Sequence, residues 1–349
     1  MFLIFIFIAD NSYGALNGPT WETEIRPVAD TSRTKSLGSG NVNNDAFQTP
    51  SGIAFSNDGK KVFATNKSVD GNDTTGQECL RTFNLSSPYD LRTAGKIQDE
   101  IDPIITLAGE TSATSYRCED INFSNDGRKL FLSNQVGDIY QFDLAAPFSL
   151  PGMTYNSIEE RIGTGYTNFS FNSDGTKLFS LKSSNNSNSV LEFNLASPYD
   201  ITSRGSAIND YNLDSYSRVD GRAFSHQGIE FSSDGTAMFI ISTDQTVVKG
   251  SGLEKIIQFQ LSAAFDTTTA SFLGTFSITM GEGNVGTGGR IGGMAFDGSG
   301  SKLYIVAQYN SVPNGLGADV MHQYSLECSY GIFGCVDAVS YTHLRAHET

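Results

Sequence analysis

Gly52-Ile-Ala-Phe-Ser-Asn-Asp-Gly59, followed by Lys61-Val-Phe63 and later by Leu80-Arg-Thr-Phe-Asn-Leu85, is a phrase that this chain repeats. It returns around Phe123-Ser-Asn-Asp-Gly127, Phe171-Asn-Ser-Asp-Gly175, Phe231-Ser-Ser-Asp-Gly235 and, altered, Phe296-Asp-Gly-Ser-Gly300. The anchor phenylalanines stand 68, 48, 60 and 65 residues apart. Self-similarity at such a period marks stacked supersecondary units, none of which buries its apolar face alone.

Within a unit, a short apolar strand runs into Asp-Gly and out into a second apolar strand, as in Ile121-Asn-Phe123 and Lys129-Leu-Phe-Leu132. Asp-Gly between two such runs predicts a tight hairpin, because glycine takes positive φ without a Cβ penalty. The third strand reads aliphatic-x-x-aromatic-x-Leu at Ile139 to Leu144, Val190 to Leu195 and Ile256 to Leu261, and again at Met321 to Leu326. Period-two alternation puts Tyr140, Phe142 and Leu144 on one face, the face that packs between neighbouring sheets. Ser87-Pro-Tyr-Asp90 follows, echoed at Ala146-Pro-Phe-Ser149, Ser197-Pro-Tyr-Asp200 and Ala263-Ala-Phe-Asp266, and marks a corner before a more variable fourth strand. Four short antiparallel strands per unit predict an all-β fold, a β-propeller of five four-stranded blades.

The phrase Phe-Ser-x-Asp-Gly-x-Lys-aliphatic-aromatic resembles the Phe-Ser-Pro-Asp-Gly-Lys repeat of TolB-like and YVTN-type propellers, with Asn57, Asn125, Ser173 and Ser233 in place of the proline. The resemblance spans all five units and implies a propeller without implying a reaction.

The fifth unit has no Ser-Pro-Tyr-Asp; after Leu326 it reads Glu327-Cys328-Ser-Tyr-Gly-Ile-Phe-Gly-Cys335. A blade short of its last strand needs one from elsewhere, and the segment before unit one, Trp21 to Val28 and Ser36-Leu37, stands in the right place. The ring is therefore expected to close by pairing the N-terminal segment with blade five, which removes exposed sheet edges.

Charged residues are 17% of the 349, and formal net charge is −15. An acidic surface repels phosphates, which excludes nucleic acid as a partner and argues against membrane insertion by the propeller. Residues 1–15, with the apolar run Phe2 to Ala9 and then Ser12, Gly14 and Ala15, resemble a secretory signal. Residues 16–327 are assigned to the propeller and 328–338 to the start of a Cys-containing segment. Val339 to Thr349 looks like a translated transposase-type sequencing adapter and is set apart from fold reasoning. A secreted, periplasmic or cell-surface protein with an even cysteine count predicts two bridges, Cys79–Cys118 and Cys328–Cys335.

Recognisable chemistry is sparse. Gly281-Glu-Gly-Asn-Val-Gly286 spells a dinucleotide fingerprint, but a strand of unit five follows it where a helix is required. Asp70, Asn72 and Asp73 offer oxygens for calcium, the one cofactor suggested, although Thr75 stands where an EF-hand loop needs glycine. His226 precedes the first strand of unit four, where it would face the central channel; His322 reads as a packed strand residue. No Gly-x-Ser-x-Gly elbow and no zinc spacing occur. No catalytic residue is assigned on this reading. The expected function is a non-catalytic recognition or display module meeting a protein or carbohydrate ligand at one mouth of the ring. Two alternatives stand beside it: a lactonase-like, metal-dependent propeller hydrolase with a channel site, and a spacer of a larger surface protein.

Overall fold

The computed structural model describes residues 20–25, 50–67, 79–109, 117–159, 162, 165–184, 187–219, 222–244, 254–278, 290–309 and 318–332. The chain opens with β1 (Thr20–Ile25) and then forms β2 (Pro50–Phe55), β3 (Lys61–Asn66), β4 (Leu80–Leu85) and β5 (Ala94–Ile101), the sheet of blade 1. Blade 2 is β6 (Asp120–Phe123), β7 (Lys129–Ser133), β8 (Ile139–Asp143) and β9 (Thr154–Glu159). Blade 3 is β10 (Tyr166–Phe171), β11 (Lys177–Lys182), β12 (Ser189–Leu195) and β13 (Arg204–Asn212). Blade 4 carries a short extra strand, β14 (Arg218–Val219), beside β15 (Arg222–Phe231), β16 (Ala237–Asp244), β17 (Glu254–Leu261) and β18 (Ala270–Ile278). Blade 5 is β19 (Arg290–Phe296), β20 (Lys302–Tyr309) and β21 (Ala318–Ser325), completed by β1. All pairs are antiparallel, and Thr20 pairs with Ser325 and Ile25 with Met321, so the expected closure by the N-terminal segment is present. The one α-helix among the described residues, Pro103–Thr106, is a single turn.

The core lies between blades. Tyr140, Phe142 and Leu144 are buried with Phe63, Leu130 and Leu132 of the blade 1–2 interface, as the alternation in the third strand requires. Cys79 and Cys118 form a disulfide with a Cα separation of 5.5 Å, tying blade 1 to blade 2. Cys328 is also disulfide-bonded; Cys335, its expected partner, lies outside the described residues. So do Asp70, Asn72 and Asp73, Gly281 to Gly286, residues 1–15 and the segment from Val339.

Each corner proves to be half of a lock. Tyr89, Phe148, Tyr199, Phe265 and Tyr330 all have positive φ, between 52° and 57°. Each donates its N–H to the carbonyl of the turn glycine of its own blade, Gly59, Gly127, Gly175, Gly235 or Gly300, at 2.8–2.9 Å. Each ring then lies flat on that glycine, so close that an added Cβ would sit 2.2–2.4 Å from ring carbons. Glycine is required twice over in these turns, by φ and by the ring above it. The fifth blade has this corner too: Cys328-Ser-Tyr330 makes it with Gly331 in place of the aspartate, which corrects the reading that unit five lacks the element.

Neighbouring blades are fastened through the same corners. Lys61 Nζ donates to Phe148 O (2.8 Å), Lys129 Nζ to Tyr199 O (3.1 Å) and Lys177 Nζ to Phe265 O (2.7 Å), each reaching from one blade to the next. At the blade 5–1 seam the Tyr304 hydroxyl donates to Tyr89 O (2.6 Å) instead.

Candidate functional site

The five inner strands, β2, β6, β10, β15 and β19, surround the axis, and their residues alternate between the channel and the blade interfaces. Counting back from the anchor phenylalanines, Gly52, Asp120, Asn168, Gly228 and Gly293 share one level, and Ala54, Asn122, Ser170, Glu230 and Ala295 share the next. Blades 1 and 5 contribute only Gly and Ala at these positions, and blade 3 contributes Asn168 and Ser170. Blade 2 contributes Asp120 and Asn122, and blade 4 contributes Glu230.

Asp120 is held from blade 3. Its Oδ2 accepts from the Phe169 amide (3.0 Å) and its Oδ1 from Ile121 N (2.9 Å), while Asn122 Nδ2 donates to Phe169 O (2.9 Å). Gly52 makes room for it: a Cβ there would be 3.0 Å from Asp120 Cα and Oδ1. Burial pushes the Asp120 carboxyl up to about 7, against the pull of the two amides and the charge of Lys67. The Glu230 carboxyl is raised well above the usual carboxylate range, chiefly by burial and then by the charge of Asp120. Two carboxyls in one channel with unequal proton affinities are the arrangement from which acid and base roles arise.

Glu230 and Asn122 border a cavity of about 300 Å³ that opens on the face of the Asp-Gly turns. Its lining includes Phe55, Phe123, Phe171 and Phe296, whose rings pack against core aromatics such as Tyr304, Phe63, Phe131 and Phe239, and the polar Asn57, Asn125 and Ser173. Toward the opposite end, Lys67 of blade 1 makes an ion pair with Glu119 (2.5 Å) and donates to Gln227 Oε1 of blade 4 (3.1 Å). Blades 1 and 4 are not neighbours in a ring of five, so this side chain lies across the axis.

His226 does not face the channel, contrary to expectation. It is buried inside blade 4, with Nε2 3.0 Å from Ser217 Oγ and Nδ1 2.7 Å from Ser242 Oγ. Ser217 donates to Leu213 O (3.0 Å), which leaves its oxygen to accept from Nε2–H. Burial drives the imidazole pKa down to about 4, against the charge of Asp214, so it is neutral and serves to tie strands together. His322 is fully buried, as expected of a packed strand residue.

Among the described residues, no three or more His, Cys, Asp or Glu side chains gather into a set able to hold a metal ion. Both Asp120 oxygens are already taken by main-chain amides.

No family model matches the chain, and no curated protein sequence does. Among solved structures, it is similar to the periplasmic gluconolactonase PpgL of Pseudomonas aeruginosa, with 12% identity and a TM-score of 0.41 over 80% of this chain and 71% of that one. It is similar to a putative 6-phosphogluconolactonase of Bacteroides uniformis, with 17% identity and a TM-score of 0.41 over 82% and 74%. A third, a putative 6-phosphogluconolactonase of Bacteroides fragilis, gives 15% and 0.36 over 79% and 71%. The expectation of a non-catalytic recognition or display module is corrected here, because these neighbours are described as lactonases and side with the alternative reading. At such identities and TM-scores the likeness assigns neither a reaction nor a residue role to this chain; the channel chemistry has to.

Sequence reasoning missed Asp120, Asn122 and Glu230. The signal was available in the repeats, since these polar residues stand at inner-strand positions where units one and five have glycine or alanine.

Proposed function

We propose that the chain is a lactonase-like hydrolase of small cyclic esters, working in the channel cavity. The observation that carries this reading is the Glu230 carboxyl bordering the channel cavity, its proton affinity raised by burial and by the charge of a second carboxyl, Asp120. In lactone opening, water adds to the carbonyl carbon, the ring C–O bond breaks, and the leaving oxygen needs a proton. Glu230 donates that proton, and the carboxyl pair recovers the one released by the attacking water, so lactone and water give a hydroxy acid. The mixed lining, apolar at Ile53, Ala54 and Ala295 and polar at Asn57, Asn125 and Ser173, suits a small ring that carries hydroxyls.

The finer kinship with TolB-like and YVTN-type propellers is supported by the Phe-Ser-x-Asp-Gly phrases, and export to an extracytoplasmic compartment by the Cys79–Cys118 bridge together with the signal-like residues 1–15.

The test is a panel of small lactones and aryl esters followed by pH-stat titration. Glu230→Gln should lower kcat by about a hundredfold or more, within the usual range for a lost general acid, with the unfolding midpoint unchanged. No turnover of any panel member, or full activity in Glu230→Gln, would sink the proposal.

A further inference from the structure

The seam between blades 4 and 5 is built differently from the others. At the blade 3–4 seam the Lys177 ammonium sits between Glu192 Oε1 (2.5 Å) and Phe265 O (2.7 Å). At the blade 2–3 seam the Lys129 ammonium sits between Tyr199 O (3.1 Å) and the Gln141 amide, whose oxygen, in its satisfied orientation, accepts at 3.0 Å. Both seams thus hold a primary ammonium between a third-strand oxygen and the carbonyl of the next corner aromatic.

Blade 4 keeps the acceptors and lacks the cation. Gln258 occupies the position of Gln141 and Glu192, and Tyr330 is the corner aromatic, but Ala237 stands where the other blades have Lys129 and Lys177. The Tyr304 hydroxyl, which serves the blade 5–1 seam, has Phe239 as its counterpart. Gln258 is 6% exposed, and its Oε1 has no hydrogen-bond partner, an expensive arrangement for a buried carbonyl oxygen. It borders a cavity of about 360 Å³ whose other polar lining includes Asp234, Ser232 and Ser329, with no Lys, Arg or His among the described lining residues. The Asp234 carboxylate is fixed by Ser232 Oγ (2.6 Å) and Thr236 N (3.0 Å).

We infer that the blade 4–5 seam is a binding site for the primary ammonium group of a small molecule, which takes the place of the missing lysine between Gln258 Oε1 and Tyr330 O. Oxygen acceptors, a nearby carboxylate and the absence of any competing cation among the lining residues set the charge of the ligand. A compact ammonium with three donors matches the acceptors better than a quaternary ion, which has none to offer. The site lies away from the channel, so its fate is separate from that of the proposed lactonase activity.

The experiment is calorimetric titration of the full chain with n-butylammonium chloride at fixed ionic strength, with tetramethylammonium chloride and KCl as controls. Saturable n-butylammonium binding is expected, weakened at least tenfold in Gln258→Leu and abolished in Ala237→Lys, whose own side chain fills the site and raises the melting temperature. Absence of binding to the wild-type chain overturns the inference, as does binding unchanged in the folded Ala237→Lys protein. Equal competition by KCl would show a site for inorganic cations and would overturn it as well.

Discussion

Replacing Gly175 by alanine tests the corner lock at its tightest point. Gly175 has φ +72°, and its new Cβ would meet Tyr199 Cδ2 at 2.2 Å and Cε2 at 2.3 Å. Carbon atoms prefer about 3.5–4.0 Å, so the ring must move by more than 1 Å. It cannot do so freely, because the Tyr199 N–H is bonded to Gly175 O (2.9 Å), its hydroxyl to Ser173 O (3.0 Å), and its ring packs on Phe171. The left-handed φ costs alanine about 1 kcal/mol and overpacking about 1–3 kcal/mol more, so a loss of about 2–4 kcal/mol is expected. The two contributions separate in a double-mutant cycle. With Tyr199→Ala already in place the steric part vanishes, and Gly175→Ala should then cost only about 1 kcal/mol. Urea unfolding of the four proteins measures this directly. Additivity within about 0.5 kcal/mol would show that the ring does not enforce the glycine.

Three further outcomes follow from the same geometry. Asp120 keeps its proton to about pH 7 when folded but loses it near 3.8 when unfolded, so the folded chain binds more protons in that window and stability falls as pH rises through it. The Asp120 share of the fall should approach ~4 kcal/mol, so the fall should be smaller in Asp120→Asn, where only the raised Glu230 carboxyl still contributes; urea midpoints at pH 5 and 8 that coincide for the parent chain would refute this. Lys177→Met strands the carboxylate of Glu192, whose side chain is 2% exposed, and should cost about 3–5 kcal/mol, most of it regained by adding Glu192→Gln; calorimetric melting of the single and double variants decides it. Cys79→Ser with Cys118→Ser opens a loop of sequence separation 39 and should lower stability by about 4 kcal/mol in denaturant titration, against no change if the bridge does not form in the folded protein.

The fold was legible because its rules are local and recur. Phe55, Phe123, Phe171, Phe231 and Phe296, each with a turn glycine downstream, announce five hairpins, and a missing outer strand in unit five points to the N-terminal segment. The fifth corner escaped notice because neither proline nor aspartate survives in Cys328-Ser-Tyr330-Gly331, although the aromatic that makes the lock is there. The channel escaped for another reason. Asp120 and Glu230 belong to different blades, and only closure of the ring makes them neighbours; no spacing rule in a linear sequence pairs residues so far apart. His226 was misplaced because a residue beside the axis in sequence can still turn into its own blade, here to meet Ser217 and Ser242.

The pairing of Thr20 with Ser325 also sets the order in which the molecule is made. Of the described propeller strands β1 is the earliest in the chain and its partner β21 the latest, so blade 5 is the final sheet to be completed and remains a three-stranded edge until then. Bringing ends about 300 residues apart together costs roughly 5 kcal/mol of chain entropy, largely recovered only once the intervening blades have already curved the chain round. Until that happens, β1 of a second molecule satisfies β21 with the same hydrogen bonds. Strand exchange between copies is thus the characteristic misassembly of this architecture, favoured by crowding nascent chains and suppressed by dilution.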